Sequence, residues 1–256
     1  VMDFLFFKSK IPRMVIDASP LLWKLRMVKS SDEISKIKNI CKIVSQSYSN
    51  LPKLINHGDT EIDVARKMKI DLVSGGVDNI PFLPITSGRE GVSQIICEPT
   101  MRTLKNGDIL FIDTGSIYDG YFCDFDRNFS IGKASNLVNK AYETLWITTE
   151  NAINLAKPGL LISDLWKIMY NKLNKHFPND YSNLRFGHGF GLQLTEPPSI
   201  TFENHTKLEI NMVLTIEPSI EFLPGKILVH EENIVITPDG AQLLTERAPY
   251  KIFEID

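Results

Sequence analysis

Four acidic side chains stand in stretches of this 256-residue chain that otherwise read as protein core. Asp113 closes the run Ile109-Leu-Phe-Ile-Asp113, and Asp124 follows Gly120-Tyr-Phe-Cys. Glu217 follows Val213-Leu-Thr-Ile, and Glu231 follows Ile227-Leu-Val-His. A carboxylate among apolar neighbours is costly unless it is paired or bound to a cation. One such residue is ordinarily a buried ion pair, but four of them, with few Lys or Arg in the same runs, exceed what pairing explains. Divalent cations neutralise such a set. His188, in Phe186-Gly-His-Gly-Phe190, adds an imidazole between glycines that let the backbone come close. The five residues together imply a metal centre.

The elements that must position them follow from periodicity and end signals. A helix is expected from Ser31, which caps it with Asp32 and Glu33 in the first turn; Ile34, Ile37, Ile40, Cys41 and Val44 form its buried face. A second opens at Thr60, where Thr60 and Asp63 form a capping box, buries Ile62, Ala65, Met68 and Leu72, and stops at Gly75-Gly76. Strands are expected at Ile80–Ile85, Val92–Cys97 and Ile109–Ile112, and a hairpin over Tyr118–Ile131 turns at Asp119-Gly120. The order then repeats. Helices start near Ser135 (Leu137, Ala141, Leu145 and Thr148 inward) and Ser163 (Leu165, Ile168, Met169 and Leu173 inward), and strands carrying His188, Glu217 and Glu231 follow. This repeat of element order implies one domain of two α+β halves meeting at an antiparallel sheet. Residues 1–30, with Pro12 and Pro20, read as a lead-in to a domain spanning 31–256.

Bulk properties narrow the partners. A hydrophobic fraction of 43% and a formal charge of −3, with no Lys/Arg run, describe an ordinary globular chain without a nucleic-acid-binding surface. The apolar stretches are strand-sized, so no membrane span is expected. Cys41, Cys97 and Cys123 are scattered, with no CxxC pair, which favours a reducing, cytoplasmic setting. Cys123 reads as core packing on its strand.

Five segments carry a resemblance to the pita-bread metallohydrolases, the family of methionine aminopeptidase, Xaa-Pro aminopeptidase, prolidase and creatinase. They are Asn106-Gly-Asp-Ile-Leu-Phe-Ile-Asp-Thr-Gly115, Gly120-Tyr-Phe-Cys-Asp-Phe-Asp-Arg-Asn-Phe129, Gly187-His-Gly-Phe-Gly-Leu192, Met212-Val-Leu-Thr-Ile-Glu-Pro218, and the run from His230 to Gly240. The resemblance covers residues of about 25 to 248 and includes the spacing of Asp113 and Asp124 (124 − 113 = 11). It implies the pita-bread α+β fold and two divalent metal ions (Mn, Co, Fe or Zn). Asp113 would be bidentate to one metal, Asp124 and Glu231 would bridge, and His188 and Glu217 would complete one site. A hydroxide between the metals would attack the scissile carbon, with Glu217 as general base. Leu25-Arg-Met-Val-Lys-Ser-Ser-Asp-Glu-Ile34 resembles the entry to the catalytic domain in the Xaa-Pro branch. That branch usually carries a preceding N-terminal domain and dimerises, so a chain starting at Val1 is expected to lack that domain and to form a homodimer.

The departures from the peptidases concern substrate. They carry a histidine seven residues beyond the ligand histidine, where this chain has Thr195, and another 17 or 18 residues before the first aspartate, where it has Ile96 and Ile95. Thr195 can donate a hydrogen bond but cannot titrate near neutrality, and isoleucine does neither. His230 and Asp126 are the candidates for compensation, although Asp126 equally reads as a solvated partner of Arg127 or Arg102. The expected activity is an Xaa-Pro-type metallopeptidase acting on short peptides. The alternatives are a creatinase- or ectoine-hydrolase-like enzyme cleaving a C–N bond in a small metabolite, and an inactive binding scaffold, which five retained ligands oppose.

Overall fold

The computed structural model describes residues 2–11, 16–56 and 58–255, with side chains from residue 5 onward. Two short helices come first, α1 (Met2–Lys10) and α2 (Ser19–Met27). The lead-in is therefore largely helical, though α2 buries none of its residues, and Pro12 lies outside the described residues. Next are α3 (Ser31–Leu54) and α4 (Glu61–Ser74), then β1 (Asn79–Phe82), β2 (Ile85–Arg89), β3 (Asp108–Tyr118), β4 (Tyr121–Phe122) and β5 (Phe125–Ile131). The second half opens with α5 (Asn136–Leu155) and α6 (Ile162–His176). It continues through β6 (His188–Gly189), β7 (Glu196–Ser199), β8 (Val213–Ile216), β9 (Ser219–Leu223), β10 (Lys226–Val229), β11 (Glu232–Thr237), β12 (Gly240–Leu243) and β13 (Phe253–Ile255).

Two helices followed by strands, twice over, is the order read from the sequence. In the first half β3 is the hub, paired antiparallel with β1, β2, β4 and β5. In the second, a five-stranded sheet runs β12-β11-β8-β6-β7, with β9 and β10 as a separate hairpin. One pairing departs from the antiparallel expectation: β13 returns to lie parallel to β5. The apolar faces of α3 and α4 (Ile37, Ile40, Val44, Met68 and Leu72) pack with Leu110, Ile112 and Phe125 of the first sheet. Those of α5 and α6 (Leu145, Leu165, Met169) pack with Leu214, Ile216 and Ile234 of the second. Each half thus buries its own helix–sheet interface.

Several local expectations shift. Ser30, not Ser31, caps α3, in a reciprocal box with Glu33. Thr60 and Asp63 form the expected box on α4. Residues 80–85 split into two strands at Leu83-Pro84, because proline cannot donate to a ladder. No strand forms at 92–97: Val92 makes one isolated bridge with Ile227, and Ile95 packs with Val92, Phe111 and Val229 while Ile96 is 75% exposed. Its inward residues, Val92 and Ile95, are three apart, which does not match the two-residue alternation of a strand. On α5, Val138 and Tyr142 are buried while Leu137 is exposed, and on α6 Trp166 takes the buried place expected for Ile168. Among the described residues, no helix is long and apolar enough to cross a membrane.

Candidate metal centre

The strands deliver the five residues to one place. Asp113 sits on β3 directly opposite Asp126 of β5, and Asp124 immediately precedes β5. His188 opens β6, Glu217 follows β8, and Glu231 joins β10 to β11. One carboxylate oxygen each from Asp113, Asp124 and Glu231 lies within 4.8 Å of the others. His188 Nε2 lies 3.4 Å from Asp124 Oδ2 and 3.3 Å from Glu217 Oε1, which brings the remaining two into the same cluster. Two of the five come from the first half and three from the second, so the centre forms only where the halves meet.

The backbone around His188 explains its glycines. A Cβ on Gly187 would stand 2.2 Å from the Thr215 carbonyl oxygen, and one on Gly189 would stand 2.4 Å from that of Pro197. Strand β6 is squeezed between neighbours that no larger residue tolerates. The His188 backbone N–H donates to Thr215 Oγ1 (3.0 Å), and that hydroxyl donates to Glu217 Oε1 (3.1 Å), tying histidine and glutamate together. His188 Nδ1 donates to the Gly189 carbonyl (2.9 Å); since a carbonyl only accepts, the proton sits on Nδ1 and the Nε2 lone pair faces the carboxylates.

A rear layer holds Asp124 and Glu231 in place. Asn233, fully buried on β11, accepts from the Asp124 backbone N–H (3.1 Å) and donates to its carbonyl, doing with a side chain what a strand neighbour would do. Arg127 reaches across with Nη1 to the carbonyls of Asp126 (2.7 Å) and Glu231 (2.8 Å), and with Nη2 to Glu232 Oε2 (3.0 Å). Its charge is spent on Glu232, whose carboxyl sits at about 2 despite burial, held down by Arg127, His230 and Arg247.

The front carboxylates have no such relief. Burial, followed by the neighbouring carboxylate Glu217, lifts Asp113 to about 7; burial lifts Glu217 to about 7. Asp124 and Glu231 are pushed up well above the usual carboxylate range, by burial first and then by the charge of neighbouring carboxylates. His188 is lowered to about 4 by burial and then by Arg185, so it is neutral. Asp113 Oδ1 is buried with no hydrogen-bond partner. Clustered carboxylates, an orphaned oxygen and an aimed imidazole nitrogen fit a borderline divalent cation.

A pH dependence follows for the metal-free protein. A carboxyl raised in the fold stabilises it below its unfolded value, and the contribution is lost as pH rises through the folded value. His188 and His230, lowered to about 4 and about 3, act in the opposite sense, but only below the unfolded histidine value of roughly 6.5. Between about pH 6.5 and 8.5 the chelator-treated protein is therefore expected to lose about 1 kcal/mol or more as pH rises, lowering its melting midpoint by a few degrees. Added divalent metal should flatten that slope. A midpoint that rises over this window, without metal, would contradict the electrostatic account.

The other residues singled out in the sequence fall in different places. Asp126 is buried and is not a solvated partner of Arg127 or Arg102: Arg102 binds Asp108 and Arg127 binds Glu232, because the register turns Asp126 inward opposite Asp113. Its Oδ1 accepts from Asn128 (3.2 Å) and its Oδ2 has no partner. His230 is not brought to the cluster. Its ring lies 5.7 Å from that of Tyr142 and its Nε2 lies 3.3 Å from Arg247, on the far side of an extended segment from Glu231. Thr195 is exposed in the loop before β7, next to Leu194, which covers Gly115 two residues along β3 from Asp113. Glu196 anchors that loop through Arg26 and Lys29. Ile95 faces apolar neighbours, and Cys123 is fully buried core. Sequence reasoning missed Asn233, Thr215 and Arg185. The first two lie within segments that carry the family resemblance, but a neutral side chain in an apolar strand has no charge contrast to mark it.

Comparisons with known proteins point the same way. A model of metallopeptidase family M24 matches residues 35–238. A curated Bacillus subtilis (strain 168) relative that carries a dipeptidase name, YkvY, is 31% identical over 233 residues, covering 90% of this chain and 64% of the relative. Among solved structures, dipeptidase PepE from Mycobacterium ulcerans superposes with a TM-score of 0.87 at 28% identity, covering 94% of this chain and 64% of that one. The X-Pro aminopeptidase from Thermotoga maritima MSB8 gives 0.86 at 29%, covering 95% and 69%. The chain spans 64% of the length of the first of these relatives.

Proposed function

Since the chain belongs to metallopeptidase family M24, we propose that it is a dinuclear-metal peptidase of the Xaa-Pro type, cleaving short peptides. The observation that carries the reading is the convergence of Asp113, Asp124, His188, Glu217 and Glu231 from both halves on one cluster. These five would hold two divalent cations drawn from Mn, Co, Fe and Zn. When bound, the cations supply positive charge that acidifies a water and stabilises a developing oxyanion.

The chain's own groups do the rest. Glu217 Oε1 already accepts the Thr215 hydroxyl, so Oε2 is the atom left to take a proton from the water and return it to the leaving nitrogen. His188, fixed in one tautomer, keeps its lone pair on the cluster. Thr195, on a loop pinned by Glu196, would hydrogen-bond substrate. The family's helper histidines have no counterpart at residues 95, 96 and 195, so proton traffic rests on Glu217. His230 acts from behind, packing the segment that carries Glu231. Residues 31–256 would be the catalytic unit of a homodimer working in the cytoplasm.

A screen of metal-loaded protein with Xaa-Pro dipeptides and tripeptides, beside small ureido and amide metabolites, tests the reading. Cleavage of a proline peptide is the expected outcome. Turnover of a metabolite alone would move the assignment to the creatinase-like alternative, and no turnover of any proline peptide would sink the peptidase reading.

A further inference from the structure

Among the described residues, seven buried side-chain atoms have no hydrogen-bond partner, and four of them lie on one face of the paired strands β3 and β5. They are Asp113 Oδ1, Asp126 Oδ2, Asn128 Oδ1 and Ser130 Oγ. Phe125 and Phe129 of β5 pack toward α3 and α4, so the alternate residues 126, 128 and 130 face the other way, with Asp113. Asp113 belongs to the metal cluster. The other three continue from it in a row along β5, and all are buried.

Asn128 Nδ2 donates to Asp126 Oδ1 (3.2 Å) and to the Val229 carbonyl (2.7 Å), which leaves Oδ1 as the unengaged end of its amide. Leaving such an atom dry is costly, and internal water is the usual remedy where a site offers it two or more polar partners. Alternate residues of a strand stand roughly 6.7 Å apart. A water bonded to both neighbours spans roughly 5.6 Å, and side chains that lean along the strand close the difference. The neighbouring column on β3 is apolar, with Phe111 opposite Asn128 and Ile109 opposite Ser130, so water is confined to the β5 side.

The row has two ends. At the outer end Ser130 lines a cavity of about 200 Å³ with Arg89, Lys133 and Ser135, and the first two of these are exposed. At the inner end Asp126 stands opposite Asp113. The cluster itself meets solvent chiefly at Glu217, whose side chain is 21% exposed, against 7% for Asp124 and 3% for His188. A substrate seated on the cluster covers that opening. Each hydrolysis consumes one water: its hydroxyl joins the carbonyl carbon as the C–N bond breaks, and its proton ends on the leaving nitrogen.

We propose that a track of internal water runs along β5 from the metal cluster past Asp126, Asn128 and Ser130 to the outer cavity, and replaces the water consumed while the substrate opening is occupied. The inference rests on the hydrolytic reading given above. Water that merely satisfies buried atoms is distinguishable, because interrupting it would leave turnover unchanged.

A crystal structure of the metal-loaded protein, resolved finely enough to show ordered water, tests occupancy without requiring turnover. Water within hydrogen-bond distance of Asp126 Oδ2, Asn128 Oδ1 and Ser130 Oγ is expected. Ser130→Val and Ser130→Thr, which share a shape and differ in the hydroxyl, test the supply. On any substrate the enzyme turns over, the valine variant should lose kcat by about tenfold, the scale of one lost hydrogen bond, with KM and metal content unchanged. The threonine variant should match the wild type. Dry density beside the three atoms, wild-type kcat in Ser130→Val, or an equal loss in both variants overturns the proposal. Ordered water with no turnover of any peptide or metabolite would instead overturn the hydrolytic reading and leave the hydrated track standing.

Discussion

Glu217→Gln is expected to lower kcat by about 10³-fold on any substrate the metal-loaded enzyme turns over, within the roughly 10²–10⁴ range for a positioned general base. Glutamine has nearly the same shape, and its amide oxygen can still accept the Thr215 hydroxyl that now binds Oε1. What it cannot do is take a proton at the second position. An amide is also a poorer ligand than a carboxylate, so kcat must be measured at saturating metal, with metal content determined alongside. A kcat within a factor of ten of wild type, at full metal loading, would remove Glu217 from the proton path.

Asp124→Asn is expected to cost at least one metal ion per chain while the fold is retained. Asp124 is the carboxylate through which the others connect: it lies within reach of Asp113 and Glu231 on one side and of His188 on the other. An amide offers one good acceptor oxygen and no charge, so it cannot serve two cations. The fold should survive because the loop is held through the Asp124 main chain by Asn233, not through the carboxylate. Removing one of several mutually repelling carboxylates should even let the metal-free variant melt at or above the metal-free wild type near pH 8. Elemental analysis and thermal melts check both halves of this prediction, and an unchanged metal content would contradict it.

The sequence carried much of this site because its signal is one of contrast. Asp113, Asp124, Glu217 and Glu231 interrupt apolar runs, and the residues that flank them along the chain already imply their burial. The two-half architecture was legible for a related reason: helical spacing of three and four gives way to strand alternation twice, in the same order. Other features lacked contrast. Asn233 and Thr215 are small polar residues within strands, and only the register that brings β11 beside Asp124, and β8 beside β6, reveals what they hold. Arg185 sits in a loop where an arginine is unremarkable by pattern alone. The segment 92–97 misled because its apolar content was read without its spacing: Val92 and Ile95 turn inward three residues apart, not two. His230 shows that adjacency along an extended chain separates side chains, so the neighbour of a cluster residue faces elsewhere.

Five residues from two halves are expected to hold one dinuclear centre. The most direct test is elemental analysis of wild-type protein, stripped by chelator, dialysed against excess divalent metal and passed through a desalting column. Two equivalents of metal retained per chain are expected. Retention of less than one equivalent, for each of Mn, Co, Fe and Zn, would contradict it.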